Sequence, residues 1–266
     1  MNFYTGIQEG QPRKMGMLGR LPMHSEETHP RLKLANYIDE SALPTTPASV
    51  DWCSKVSNWP MYYNDQLGDC TCAAVGHQLQ GWTQYASAQV AVPDESILKL
   101  YESQGYVPGD QSTDQGAVIQ DVLQEMTNTG IPDATGNVHK YELFAQLNIK
   151  NMKQVYQALY MFGSVYLGIN VPGSAEDQFN NHQPWTNVGD TNILGGHAIV
   201  VQAKDSKNNL NIITWGTTQE MEQSFWNAYV EEAWVVLTPD WFSSTGTTPD
   251  GLNLDQMKSD FSGLYN

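Results

Sequence analysis

Three cysteines fall within one stretch, Val50–Val75, VDWCSKVSNWPMYYNDQLGDCTCAAV: Cys53, Cys70 and Cys72. Gly68-Asp69 forms a turn signal immediately before Cys70. Beyond it Val75, Leu79, Trp82 and Ala86 recur at steps of four, three and four, which is one apolar stripe of a helix. Asp69 suits the N-cap position of that helix. Cys70 therefore stands in the first turn, where the helix dipole and free backbone N–H groups favour a thiolate. The thiolate is the reactive form of cysteine, so a thiol nucleophile belongs here, and Cys70 should alkylate faster than Cys53 at neutral pH.

The elements around this stretch follow from periodicity and punctuation. The helix predicted from Cys70 covers 70–88, and Pro93-Asp94 opens a second one. A polar loop over 107–115 precedes a third, in which Ile119, Val122, Leu123 and Met126 share a face and which Gly130 ends. A fourth covers 150–162, stopped by Gly163 and followed by a strand over 164–171. Residues 172–194 read as a loop. The segments GGHAIVVQAKD and NLNIITWGTT are β-rich, separated by a turn at 206–209, and 225–238 supplies a further strand. Trp185 and Trp226 read as core. His77, seven residues after Cys70, lies on the same helical face and reads as packing or polar lining.

The chain order of these pieces resembles that of the papain-like cysteine peptidases. Laid on their pattern without a gap, Val50-Asp51-Trp52 match the V-D-W segment, Pro60 the following proline, Gly68 the glycine two before the nucleophile, and Cys70 the nucleophile. Cys72 then falls on a small packing alanine. Asn64 falls on the oxyanion glutamine, an amide one methylene shorter. A second register pairs Gln66 with Cys72, also six apart; it restores the glutamine but needs a two-residue insertion and leaves the helix start. Cys70 with Asn64 is the preferred assignment, and Cys72 with Gln66 the alternative. The run Gly116–Ile131 resembles the family's second core helix, and the helix–Gly163–strand unit its central segment.

The resemblance implies a papain-like α+β fold, a helical half packed on an antiparallel β half, with His197 of GGHAIVV as general base within hydrogen-bond reach of Cys70. Trp215-Gly216 match the W-G that follows the family's third, orienting Asn; here that position is Ile213, which cannot orient an imidazole. A Cys70–His197 dyad is the implied machinery, with the Cys70 N–H and the Asn64 amide as oxyanion donors. Two functions follow: a cysteine hydrolase, a peptidase acting on peptide or isopeptide bonds, or a catalytically silent structural or interaction protein on the same fold, such as a component of a viral particle or other assembly.

Charge narrows the partners. With 13 basic and 29 acidic residues the chain carries −16, which disfavours nucleic acid and anionic membrane. Residues 1–43 balance five basic against five acidic residues, so the rest of the chain holds the whole excess. This division gives an extended N-terminal arm (1–43), a papain-like domain (44–240) and a C-terminal tail (241–266) ending in a short helix with Leu254, Met257, Phe261 and Leu264 on one side. Arms can lie on the body, as an inhibitory propeptide does, or on neighbouring proteins. No apolar h-region or long apolar run is present, and the odd cysteine count leaves a free thiol. The expectation is a protein of the reducing cytoplasm, or of a particle assembled there. No cofactor is expected: a zinc set of Cys53, Cys70, Cys72 and His77 lacks the usual ligand spacing.

Overall fold

The structure, a computed structural model, describes residues 13–29, 31–36 and 43–253. A short strand β1 (Val50–Asp51) leads into the loop that carries Asn64, and α1 (Cys70–Ala86) begins at the predicted cysteine. Every residue from Cys70 to Thr83 is buried, so α1 is a central helix rather than a one-sided one. Its polar side chains find partners inside: Gln78 joins Ser164 and Tyr141, and His77 Nε2 donates to the carbonyl of Pro60. Asp69 precedes the helix, but its side chain makes no capping bond, contrary to expectation; the Asp69 carbonyl instead receives the Cys72 and Ala73 N–H groups.

The helical half continues with α2 (Asp94–Glu102) and α3 (Ile119–Asn128), whose Ile119, Val122, Leu123 and Met126 are fully enclosed. A hairpin of β2 (Ile131–Pro132) and β3 (Val138–His139) and a strand β4 (Leu143–Gln146) follow. In α4 (Met152–Phe162) the Asn151 side chain caps the start, and Gly163, at φ +71°, ends it in a left-handed turn.

Strand β5 (Val165–Pro172), helix α5 (Gly173–Asn180), strands β6 (Ile193–Lys204), β7 (Leu210–Thr214) and β8 (Thr217–Met221), helix α6 (Gln223–Tyr229) and strand β9 (Val230–Leu237) complete the body. The sheet is antiparallel in the order β4-β9-β5-β6-β7-β8, with β1 also pairing β6. Helix α1 packs across β6 and so sets the cysteine end of one layer against the histidine strand of the other.

Two elements differ from the sequence reading. Residues 173–180 are helical although GSAEDQFN is mostly polar; only Ala175 and Phe179, four apart, are driven fully inward. Residues 223–229 are helical rather than extended, because Phe225, Trp226 and Tyr229 follow a 3.6-residue period, and the strand starts only at Val230. Trp185 and Trp226 are core, as expected. The predicted helix through Leu254, Met257, Phe261 and Leu264 lies outside the described residues, as do 1–12, 30 and 37–42 of the arm.

Burial of His77 has a consequence for acid stability. Its pKa is pushed down from 6.5 to about 4, chiefly by desolvation and against the raising effect of the Pro60 carbonyl. A histidine depressed in the fold stabilises fully above its unfolded value, and that stability is lost as pH falls from 6.5 towards 4. The loss from this group amounts to about 3 kcal/mol. Asp69, raised well above its ordinary value by burial, acts with the opposite sign. The expected result is that His77→Gln, which keeps a donor for Pro60, loses less melting temperature between pH 7 and pH 4 than the wild type. Equal losses would contradict this assignment.

Candidate active site

The two halves bring Cys70 and His197 to one seam. The Cys70 thiol, at the first turn of α1, feels the backbone N–H groups of Ala198, the residue after His197 on β6, and of Gly19 in the arm, both of which lower its pKa. His197 is buried, with Nε2 2.7 Å from Thr214 Oγ1. Trp215 stacks on its ring at 4.4 Å between centroids and 18° between planes, and is itself backed edge-on by Phe179 and Trp185. Nδ1 has no hydrogen-bond partner, so the expected bond between thiol and imidazole is not made in this state. Catalytic hydrogen bonds are often incomplete until substrate enters.

The side chain that reaches His197 stands one position beyond the one the sequence reading considered. Strand alternation puts Ile213 and Thr214 on opposite faces of β7: Ile213 is fully buried opposite Val200 and Thr218, and Thr214 reaches His197. Trp215 and Gly216 form the two-residue turn to β8, both at positive φ (43° and 71°), which swings the indole over the imidazole. Placing an amide at position 213 therefore reaches no imidazole. Ile213→Asn should cost about 3 kcal/mol or more through an unpaired buried amide and lost packing. Its melting temperature should fall by roughly 5–10 °C with no gain in turnover; a gain would return the orienting role to position 213.

Asn64 is buried near Asp69. Its Nδ2 donates to the carbonyls of Met17 (3.2 Å) and Leu67 (3.1 Å), and its own carbonyl accepts from the Met17 N–H (2.7 Å). Trp215 Nε1 also donates to the Met17 carbonyl. Gln66 is exposed, with its amide 3.5 Å from both Asp65 oxygens. Cys72 is fully buried, its thiol beside Thr71 Oγ1, and its pKa lies well above the usual thiol range, mainly from burial.

Part of the arm lies on the body, one of the two placements the sequence reading allowed. Residues 16–21 cross the seam as an extended chain: the Gly19 and Arg20 N–H groups donate to the Gly196 carbonyl, Leu21 N–H donates to the Ala117 carbonyl, and Ala117 N–H donates to the Gly19 carbonyl. Side chains at Gly195 and Gly196 would press on Leu18 and Arg20, which explains the glycine pair before His197. Arg20 is buried and ion-paired to Glu232 (2.9 Å).

With the arm in place the electrostatics run against the sequence expectation of a thiolate. Burial pushes the Cys70 thiol up to about 12, aided by Asp69 and opposed by the Ala198 and Gly19 N–H groups and by Arg20. Desolvation outweighs the helix N-terminus. His197 is pushed down to about 3, first by desolvation and then by the Arg20 charge. Thiol and imidazole are both neutral at rest.

Among the described residues, one group of three could hold a metal ion: His24, His29 and Asp121, with His24 Nε2 2.8 Å from Asp121 Oδ2 and the two imidazoles stacked at 3.9 Å. Cys53, Cys70, Cys72 and His77 do not converge in this way. Also among the described residues, no helix is long and apolar enough to cross a membrane.

No protein-family profile and no curated protein matches the sequence. Solved structures do match. Xylellain, a cysteine protease from Xylella fastidiosa, superposes with TM-score 0.62 at 17% identity over 86% of this chain and 98% of that one. The procathepsin B S9 of Trypanosoma congolense gives 0.60 at 12% over 84% and 86%. A Carica candamarcensis cysteine protease bound to E-64 gives 0.54 at 15% over 72% and 98%. The fold is that of the papain-like cysteine proteases. The α+β architecture implied by the resemblance is thus the one observed, and the papain-like seam between α1 and β6 is where Cys70 and His197 stand.

Proposed function

We propose that the chain is a papain-like cysteine hydrolase acting on peptide bonds, with Cys70 as nucleophile and His197 as base. The observation that carries this reading is the environment of His197: Nε2 on Thr214, the Trp215 face against the ring, and Nδ1 free, with the next residue's N–H acting to lower the Cys70 pKa. If Nε2–H is donated to Thr214, Nδ1 keeps the lone pair that a base needs. Once a peptide replaces the arm, the thiol proton passes to Nδ1 and the sulfur attacks the scissile carbonyl carbon. The resulting oxyanion is held by the Cys70 N–H, left over at the helix start, and by the Asn64 amide. Collapse breaks the C–N bond, the imidazolium protonates the leaving amine, and water cleaves the thioester. The arm then serves as a resting cover, and the substrate is a peptide or protein.

A second reading has its own support. In the covered state the thiol is protonated and the Asn64 amide is spent on Met17 and Leu67, as would suit a silent papain-fold component of an assembly whose arm permanently fills the cleft. The experiment that separates the two is incubation of the arm-displaced protein with an unfolded protein substrate, read by mass spectrometry beside Cys70→Ser. Fragments that vanish with Cys70→Ser support the hydrolase; no fragments from either supports the silent reading.

A further inference from the structure

We propose that His24, His29 and Asp121 bind a divalent transition-metal ion of the zinc class, and that the bound ion fastens the arm to the body. The site stands apart from the Cys70–His197 seam. The inference goes beyond the hydrolase reading and holds whether the arm covers an enzyme or a silent fold.

The chain builds the cluster from two directions. Leu21 N–H on the Ala117 carbonyl, and Ala117 N–H on the Gly19 carbonyl, dock the arm beside the segment that enters α3. The next arm residues therefore run past the first turn of that helix, where Asp121 stands. His24 Nε2 comes 2.8 Å from Asp121 Oδ2. A turn then reverses the chain: the Thr28 and His29 N–H groups both donate to the Ser25 carbonyl, and the Ser25 and Thr28 hydroxyls are 2.9 Å apart. The reversal lays the His29 ring on that of His24, at 3.9 Å between centroids and 19° between planes. Two contacts brace it: Lys33 pairs with Glu26 at 2.7 Å, and Arg31 Nη2 donates to the His24 carbonyl at 2.8 Å.

One nitrogen from each imidazole and one Asp121 oxygen all lie within 4.8 Å of one another. The His24–Asp121 contact alone is an ordinary half-exposed pair; the second imidazole makes it a three-donor set. Two imidazoles and a carboxylate suit zinc, cobalt or nickel, whereas calcium and magnesium prefer oxygen ligands throughout. Around tetrahedral zinc, donors at about 2.0–2.1 Å from the metal stand roughly 3.3 Å apart. His24 and Asp121 already approach more closely than this, and exposed His29 closes the rest by turning its side chain. Thr28 Oγ1, 3.0 Å from His29 Nδ1, is the kind of partner that orients a ligating ring, with Nε2 then the ligand. The metal takes the place of the proton between His24 Nε2 and Asp121 Oδ2, which leaves to solvent, and water completes the shell. A chain of charge −16 favours the added cation.

Both histidines belong to the arm and the carboxylate to the body, so the set exists only while the arm lies down. An ion that binds only this state suppresses lifting of the arm by the factor 1 + [L]/Kd, about 100-fold at a concentration of 100 Kd. The same arm covers Cys70, which makes the thiol a reporter of the distant ion.

The test titrates tag-free, full-length protein with Zn²⁺ by calorimetry and with Co²⁺ by absorption, beside His24→Ala, His29→Ala and Asp121→Asn. One equivalent should bind, each substitution should weaken it at least about 10-fold, and the cobalt spectrum should lack a thiolate charge-transfer band. Iodoacetamide labelling of Cys70 should slow at least about 10-fold at saturating Zn²⁺ in the wild type and stay unchanged by Zn²⁺ in His29→Ala, a substitution at an exposed position that leaves the fold intact. Equal binding by wild type and all three variants, or a thiolate band, would overturn the site. Slowing that persists in His29→Ala would place the metal on the thiol and overturn it as well. One equivalent bound without slowing would overturn the fastening.

Discussion

Gly19→Leu should raise the rate at which iodoacetamide labels Cys70 in the native protein by about 10- to 100-fold. Gly19 lies against Gly68, and a Cβ there would collide with the Gly68 backbone carbonyl, which no side-chain rotation relieves. One partner must move. The Gly68 side is fixed by the Asp114 carboxylate on its N–H and by the start of buried α1. The arm is held across the seam mainly by main-chain bonds to Asn64, Gly196 and Ala117, so the arm is what lifts. Misfit of this kind costs about 1–3 kcal/mol, and each 1.4 kcal/mol is tenfold in the exposed fraction. Uncovering also reverses the cause of the high Cys70 pKa, because desolvation is its largest contributor. Cys53, buried elsewhere and raised by its own desolvation and by Asp51, is the internal control and should not change. Unchanged labelling of Cys70 in a folded Gly19→Leu protein would mean that the arm does not guard the thiol.

On that background, Cys70→Ser and His197→Ala should each lower turnover by roughly 10³-fold or more, and the double variant should be no worse than either single one. Residues that act as a unit are non-additive in this way. The imidazole is not replaceable from nearby. His77 is committed to Pro60 and packed against Trp59 and Tyr62. If instead His197 only fills space beneath Trp215, His197→Ala should reduce melting temperature while leaving turnover within a few-fold.

Much of this site could be read in the sequence, and the reasons differ residue by residue. Cys70 was legible because a turn signal, an acidic residue and a helical stripe are all local. His197 was legible only through the order of distant segments that resemble a known family. Thr214 was missed because counting sixteen residues past His197 lands on Ile213, whereas the alternation of β7 makes 213 and 214 point oppositely. That alternation, with the Trp215-Gly216 turn fixing its end, was the available signal. Helices α5 and α6 were missed because each buries only two or three side chains, too few for a period to stand out. Arg20 and Glu232 could not be found this way. They are 212 residues apart, and nothing in the composition of an irregular, charge-balanced arm says which of its basic residues will be buried. The thiol's resting state was misjudged for the same reason: the helix start is local, but the cover over it comes from fifty residues upstream.

The most direct test of the account is intact-mass and peptide-mapping spectrometry of full-length Gly19→Leu after brief exposure to a peptide thioester or ester under single-turnover conditions. The account predicts a transient acyl adduct on the Cys70 sulfur, at one equivalent, absent in Cys70→Ser and greatly slowed in His197→Ala. An unmodified Cys70 in a protein shown to be folded and uncovered, or acylation that proceeds equally at Cys53 and without His197, would contradict it.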